Sequence, residues 1–83
     1  MKIELKGFGS ARKLSGMHIE LIANSNIAQL RQLLLEKLHF TNDEEMLVLL
    51  QTCAFASATK ILSEDAELVN SQLLHVLPPV CGG

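Results

Sequence analysis

The chain has 83 residues, 48% of them hydrophobic, but its only aromatics are three phenylalanines, so a core has to be built mainly from Leu, Ile and Val. Such a length makes one domain, near the lower size at which a single core supports itself. Seven basic against nine acidic residues, net −2, argue against nucleic acid, whose binders carry a basic patch or stripe.

Residues 2–8 alternate, with Ile3 and Leu5 on one face and Lys2, Glu4 and Lys6 on the other, the pattern of a half-buried strand. Gly7, Gly9 and Gly16 punctuate a loop carrying Ser10-Ala11-Arg12-Lys13-Leu14. A second alternation sets Ile19 and Leu21 against His18, Glu20 and Ile22, and the short connection predicts an antiparallel hairpin. Asn24-Ser25-Asn26 then signals a helix start, since each side chain can accept a bond from a first-turn amide. From Ile27 the period becomes helical: Ile27, Leu30, Leu34 and Leu38 form a stripe flanked by Leu33 and Leu35, with Gln29, Gln32 and Glu36 facing water. Arg31 lies beside the stripe, where its stem can run along apolar surface.

The helix is expected to end near His39-Phe40. Thr41-Asn42-Asp43-Glu44-Glu45 looks like a second helix start, its acids suited to the positive end of a helix dipole. Met46 to Gln51 fits a short helix or a buried strand equally, because periodicity cannot choose over so short a run. Cys53 to Leu62 favours extended structure through Cys53, Phe55, Thr59 and Ile61. Ser63-Glu64-Asp65 and Asn70-Ser71 supply turns. Leu74-His75-Val76-Leu77 makes a last strand ending at Pro78. One amphipathic helix crossing a mixed sheet gives a two-layer α+β domain, and if the first and last strands are neighbours the fold is a β-grasp, the ubiquitin-like architecture.

The segment Leu77-Pro78-Pro79-Val80-Cys81-Gly82-Gly83 has a different logic. Two prolines fix φ and stiffen the chain, whereas Gly82 and Gly83 have no Cβ and can thread a channel too narrow for side chains. Six residues can reach roughly 20 Å. Residues 1–77 are therefore expected to form the domain and 78–83 a tail that delivers the Gly83 carboxylate to a partner. A frayed terminus is the other reading.

Nothing else in the chain offers a catalytic constellation. His18, His39 and His75 are dispersed, and Cys53 and Cys81 form neither a zinc spacing nor a C-x-x-C motif, so no metal site is expected. No run approaches the ~20 apolar residues of a membrane helix. The alternating Met1-Lys2-Ile3-Glu4-Leu5-Lys6 is unlike a signal peptide. A cytoplasmic, reduced protein without membrane contact is expected. Cys53 reads as a small buried hydrophobe.

At both ends the sequence resembles the MoaD/ThiS family of ubiquitin-like sulfur carriers, and within it most the MoaD branch, the sulfur-carrying small subunit of molybdopterin synthase. The family's ending, an apolar strand running into Pro-Pro-Val-x-Gly-Gly, is met by Leu77 to Gly83. Its early pattern of Phe, small residue, two variables, Arg, variable, Leu, variable, Gly is met by Phe8-Gly9-Ser10-Ala11-Arg12-Lys13-Leu14-Ser15-Gly16. Ile27-Ala28-Gln29-Leu30-Arg31-Gln32 fits the family's helix. Asn70-Ser71-Gln72 replaces the usual Asp-Gly-Asp-type turn, and Ala58 stands where the third strand often has Asn.

The resemblance implies a chemistry. A ubiquitin-activating-like (MoeB-like) adenylyltransferase, consuming ATP, joins the Gly83 carboxylate to AMP. Sulfur displaces AMP and leaves a thiocarboxylate, and the carrier inserts its tail into a MoaE-like large subunit. There it gives sulfur to cyclic pyranopterin monophosphate, and two transfers build the molybdopterin dithiolene. Adenylation suits a carboxylate, a poor electrophile, by supplying a leaving group. The chain would bind no cofactor and would be the non-catalytic donor in a heterotetramer with two large subunits. Gly82 and Gly83 are the expected reacting end. Phe8, Arg12, His75, Leu77, Pro78, Pro79, Val80 and Cys81 are the expected partner contacts. By alternation, Leu74 and Val76 face the core while His75 and Leu77 face away, and Leu77 with Pro79 and Phe8 could form an apolar patch; an ordinary exposed leucine is as good a reading. Arg12 fits a salt bridge to a partner acid or a solvated loop. Cys81, whose attack on an activated Gly83 would close a strained ring, reads as a bystander. Three alternatives remain open at this level: a ThiS-like donor for thiazole synthesis, a ubiquitin-like modifier of lysines, and an interaction domain with an incidental Gly-Gly.

Overall fold

A computed structural model describes residues 1–38 and 44–78. The expected helix end at His39-Phe40, the start at Thr41-Asn42-Asp43, and Pro79, Val80, Cys81, Gly82 and Gly83 lie outside the described residues.

Strand β1, Lys2–Gly7, alternates as its sequence requires, with Ile3 and Leu5 fully buried between exposed Lys2, Glu4 and Lys6. The segment after it, expected as a loop, is a 3₁₀ helix, Gly9–Leu14. Its three-residue period places Ala11 and Leu14 one above the other, and both are buried. The turn folds so tightly over β1 that a Cβ on Gly7 would lie 1.7 Å from the Ala11 carbonyl oxygen. Only glycine fits there. Ser15 closes the turn, its Oγ accepting from the Gly7 amide at 2.8 Å.

β2, His18–Glu20, returns antiparallel to β1 with Ile3 opposite Ile19, confirming the hairpin. Of the three candidate caps, Asn26 starts α1, Ile27–Lys37. Its Oδ1 accepts from the Gln29 amide at 2.9 Å while the Gln29 side chain accepts from the Asn26 amide at 2.8 Å. Such reciprocal capping is worth about 1 kcal/mol. Asn24 instead turns the chain at φ 73°, a left-handed angle asparagine tolerates. Ile27, Leu30 and Leu34 are buried as the stripe predicts, and Leu38, at the C-cap, is half-buried.

The ambiguous run after it is helical: α2, Glu44–Thr52, buries Met46, Leu49 and Leu50 and exposes Val48. Glu44 and Glu45 occupy its first turn, complementing the dipole. The expected extended stretch from Cys53 to Leu62 is two short strands, β3, Ala54–Ala56, and β4, Ile61–Leu62. Between them the Ser57 Oγ accepts from the Thr59 and Lys60 amides, both at 3.3 Å. That local bonding competes with the ladder and breaks the strand. Thr59 and Ala58 therefore lie in the turn. β5, Gln72–Leu77, begins two residues earlier than expected.

The five strands form one sheet in the order β2-β1-β5-β3-β4. β5 is central, parallel to β1 and antiparallel to β3. One core cluster joins Ile3, Leu5, Leu74, Val76 and Phe55 to Ile27, Leu30 and Leu34 of α1 and Leu50 of α2. This is the expected α+β β-grasp.

Arg31 does more than lay its stem on apolar surface. Its Nε and Nη2 donate to the two Glu64 carboxylate oxygens at 2.9 and 2.7 Å, and Nη1 donates to the Leu50 carbonyl at 2.7 Å. The guanidinium also sits 5.1 Å from the Phe55 ring centre. One side chain thus ties α1 to the end of α2 and to the segment before β5. The bond from Arg31 holds the Glu64 carboxyl below its ordinary value, and its counterpart raises Arg31. Cys53, buried, lies 3.5 Å from Nη1, and desolvation pushes its thiol up against the pull of that cation.

Candidate docking face and tail exit

The side of the sheet turned away from the helices is set by strand register. Along β5, Leu74 and Val76 point into the core at zero exposure, so Leu73, His75 and Leu77 share the outer face. His75 stands between Lys6 of β1 and Ala56 of β3, and Ala56 in turn pairs with Ile61 of β4. Leu77 stands beside Ala54, and Leu73 beside Glu4. Leu73 is 41% and Ile61 66% exposed. The result is an apolar band across β5, β3 and β4, bordered on the β1 side by Lys6 and Glu4.

Phe8 closes one end of that band. It follows β1 in extended conformation, and its amide donates to the Val76 carbonyl at 3.3 Å. Its ring packs edge-on against His75, with centroids 5.4 Å apart at 69°. The Lys6 ammonium lies 5.7 Å from the same ring, within cation–π range. Phe8 nevertheless stays 42% exposed. Beside it Gly9 turns at φ 56°, and a Cβ there would come within 3.5 Å of the Pro78 ring. The last described residue of the chain is therefore held against the Phe8-Gly9 turn.

The structure brings four of the sequence-predicted contacts together: Phe8, His75, Leu77 and Pro78 cluster where β5 ends. Arg12 is separate, exposed on the 3₁₀ helix, and it makes no ion pair with any described residue. Pro79, Val80, Cys81, Gly82 and Gly83 lie outside the described residues. Sequence reasoning missed Leu73, Ile61 and Lys6. Leu73 was legible by the same alternation that selected His75 and Leu77, had the strand been started earlier. Ile61 was not, because its place depends on β3 lying between β4 and β5. Among the described residues no group of three or more His, Cys, Asp or Glu could hold a metal ion. Nor is any described helix long and apolar enough to cross a membrane.

In sequence, the chain matches no protein-family profile and no curated protein. In structure, twelve solved chains match it. One, from Pyrococcus furiosus and described as "Putative molybdopterin converting factor, subunit 1", superposes with a TM-score of 0.66 over 95% of this chain and 98% of that one, at 23% identity. At that identity the likeness establishes a shared fold, spanning nearly the whole of both chains.

Proposed function

We propose that this chain is a MoaD-like sulfur carrier, the small subunit of a molybdopterin synthase. The observation that carries the proposal is the position of β5. It is the central strand, its outer face is apolar, and it ends at a turn that holds Pro78 against Phe8 and Gly9. The residues that follow, Pro79-Val80-Cys81-Gly82-Gly83, thus start from the rim of an open sheet face. A partner covering that face would receive them. The fold shared with the Pyrococcus furiosus chain supports the same reading.

In this proposal residues 1–77 are the docking body and 78–83 the delivered tail. A MoeB-like adenylyltransferase joins the Gly83 carboxylate to AMP from ATP, with release of pyrophosphate. A sulfur donor then displaces AMP, leaving the thiocarboxylate. On a MoaE-like large subunit the thiocarboxylate gives its sulfur to cyclic pyranopterin monophosphate, and Gly83 returns to a carboxylate. Leu73, His75, Leu77 and Phe8 make the apolar contact, and Arg12, apart from them on the 3₁₀ helix, makes an ionic one. Catalytic groups come from the partners, and the assembly is a heterotetramer of two small and two large subunits.

The test is the intact mass of the protein after incubation with such an adenylyltransferase, ATP and a sulfur donor. Exchange of one oxygen for sulfur, absent when Gly83 is deleted, is the expected result. An unchanged mass with partners proven on another carrier would sink the proposal. Transfer to cyclic pyranopterin monophosphate, and not to a thiazole precursor or a protein lysine, then fixes the acceptor.

A further inference from the structure

The sheet has two edge strands, β2 and β4, and the longer, β2, lies outside the proposed docking band. β2 ends the strand order, so one of its sides pairs with β1 and the other pairs with nothing among the described residues. Which peptide groups face outward follows from the hydrogen-bond pattern. Met1 and Leu21 exchange backbone bonds of 2.7 and 2.9 Å. In an antiparallel ladder such bonded pairs alternate, so Ile3 and Ile19 form the next one. The N–H and C=O groups of His18 and Glu20 therefore point away from the sheet, and a further strand could pair with them.

Alongside this edge runs a groove of about 360 Å³, between β2 with the turn after it and the exposed flank of α1. Leu21, Ile22 and Leu33 give it apolar lining, and Ile22 is 84% exposed. Its charged lining residues are Glu20 and Glu36, and no lysine or arginine lines it. Glu20 has a long, 3.8 Å contact with the Met1 amino group but remains 79% exposed. Gln29 and Gln32 of α1 add amide groups on the helix side.

We propose that this groove is a second docking site, for an extended peptide segment of alternating apolar and basic side chains. The segment adds to β2 through the free peptide groups of His18 and Glu20. Its apolar side chains, every second residue, enter between Ile22 and Leu33. Its basic ones fall on the other face of the added strand, beside Glu20, while Glu36 on α1 keeps the helix wall of the groove negative. Charge selects this occupant over a second copy of the chain. A two-fold interface uses the same patch on both molecules, which would set the two pairs of carboxylates against each other. The groove begins at the Leu21 end of β2, opposite the end of β1 at which the tail leaves, with β1 between β2 and β5. It stays open while the outer face is covered, and it acts independently of whether Gly83 carries sulfur.

The test is a nuclear magnetic resonance titration of the full chain with an acetylated, amidated hexapeptide alternating valine and lysine. The expected result is saturable shifts confined to His18–Ile22 and Gln29–Glu36. Replacing the lysines by glutamate, or methylating alternate peptide nitrogens, weakens binding at least about tenfold. The exposed double variant Glu20→Lys with Glu36→Lys does the same while its thermal melt stays unchanged. No groove shifts at millimolar peptide, equal binding of the glutamate peptide, or shifts mapping to Leu73, His75 and Leu77 would each overturn the proposal. Groove shifts that depend on protein concentration without peptide would overturn it in favour of self-association.

Discussion

The two faces of β5 are built from neighbouring residues and answer to different requirements. Leu74 and Val76 are fully buried, in the core cluster that also holds residues of α1 and α2. Leu73, His75 and Leu77, one residue away along the same backbone, face outward beside Ala54, Ala56 and Ile61. The inner face is self-sufficient: burial alone selects its side chains. The outer face spends leucine and isoleucine where water would favour charge, and such a patch is the mark of a surface that another molecule covers.

The sharpest way to separate the two faces is to remove what only the outer one is proposed to serve. Deleting Gly82 and Gly83 is expected to abolish sulfur loading completely and leave the thermal melt where it was. A large drop in melting temperature would mean the tail belongs to the folded body after all. Substitutions on β5 come next. Leu74→Ala opens a cavity in the core and should cost about 3 kcal/mol, seen as a fall of roughly 12–24 °C in Tm for a domain of this size. Leu73→Ala should stay within about 0.5 kcal/mol but weaken binding to the proposed large subunit about tenfold. Equal effects of the two on stability would break the distinction. A smaller loss, about 2 kcal/mol, is expected for Gly7→Ala, because the added methyl must displace the Ala11 carbonyl on a residue that is itself fully buried. A denaturant melt indistinguishable from the parent would show that the 3₁₀ turn yields more easily than its packing indicates.

Much of the inner face was legible in the sequence. Alternation in β1, β2 and β5 and the 3.6-residue stripe of α1 are direct consequences of one-sided burial, and Ile3, Leu5, Ile19, Leu30 and Leu74 all followed from it. The 3₁₀ helix was hidden because three glycines and a serine read as turn chemistry, while the buried pair Ala11 and Leu14 is too short a repeat to register. α2 was ambiguous since five consecutive apolar residues carry no period of their own. The outer face was legible only along one strand. His75 and Leu77 came from β5 itself, whereas the approach of Ile61 and the edge-on packing of Phe8 on His75 depend on which strands adjoin, and no local pattern encodes that order. Arg31 was placed beside its stripe, but Glu64 lies 33 positions away and gave no sign that it would be the partner.

That pair offers the finest test, because it belongs to neither face of the sheet and its effect should be small. Glu64 takes two bonds from Arg31, which hold its carboxyl below the ordinary value. A carboxyl depressed in the folded state stabilises the fold above its unfolded value, about 4.3, and loses that contribution as pH falls through the lower folded value. The Glu64 side chain is 56% exposed, so solvent screens the interaction and the contribution should remain below about 1 kcal/mol. Glu64→Gln keeps the shape and removes the charge. The parent should be slightly the more stable near neutrality, and the gap should close as pH is lowered below about 4. Denaturant melts of both proteins from neutral to acid pH measure this directly, since the remaining acids are common to both. Equal stability of the two proteins at every pH would show that Arg31 acts through the Leu50 carbonyl and the Phe55 ring alone, with Glu64 a bystander.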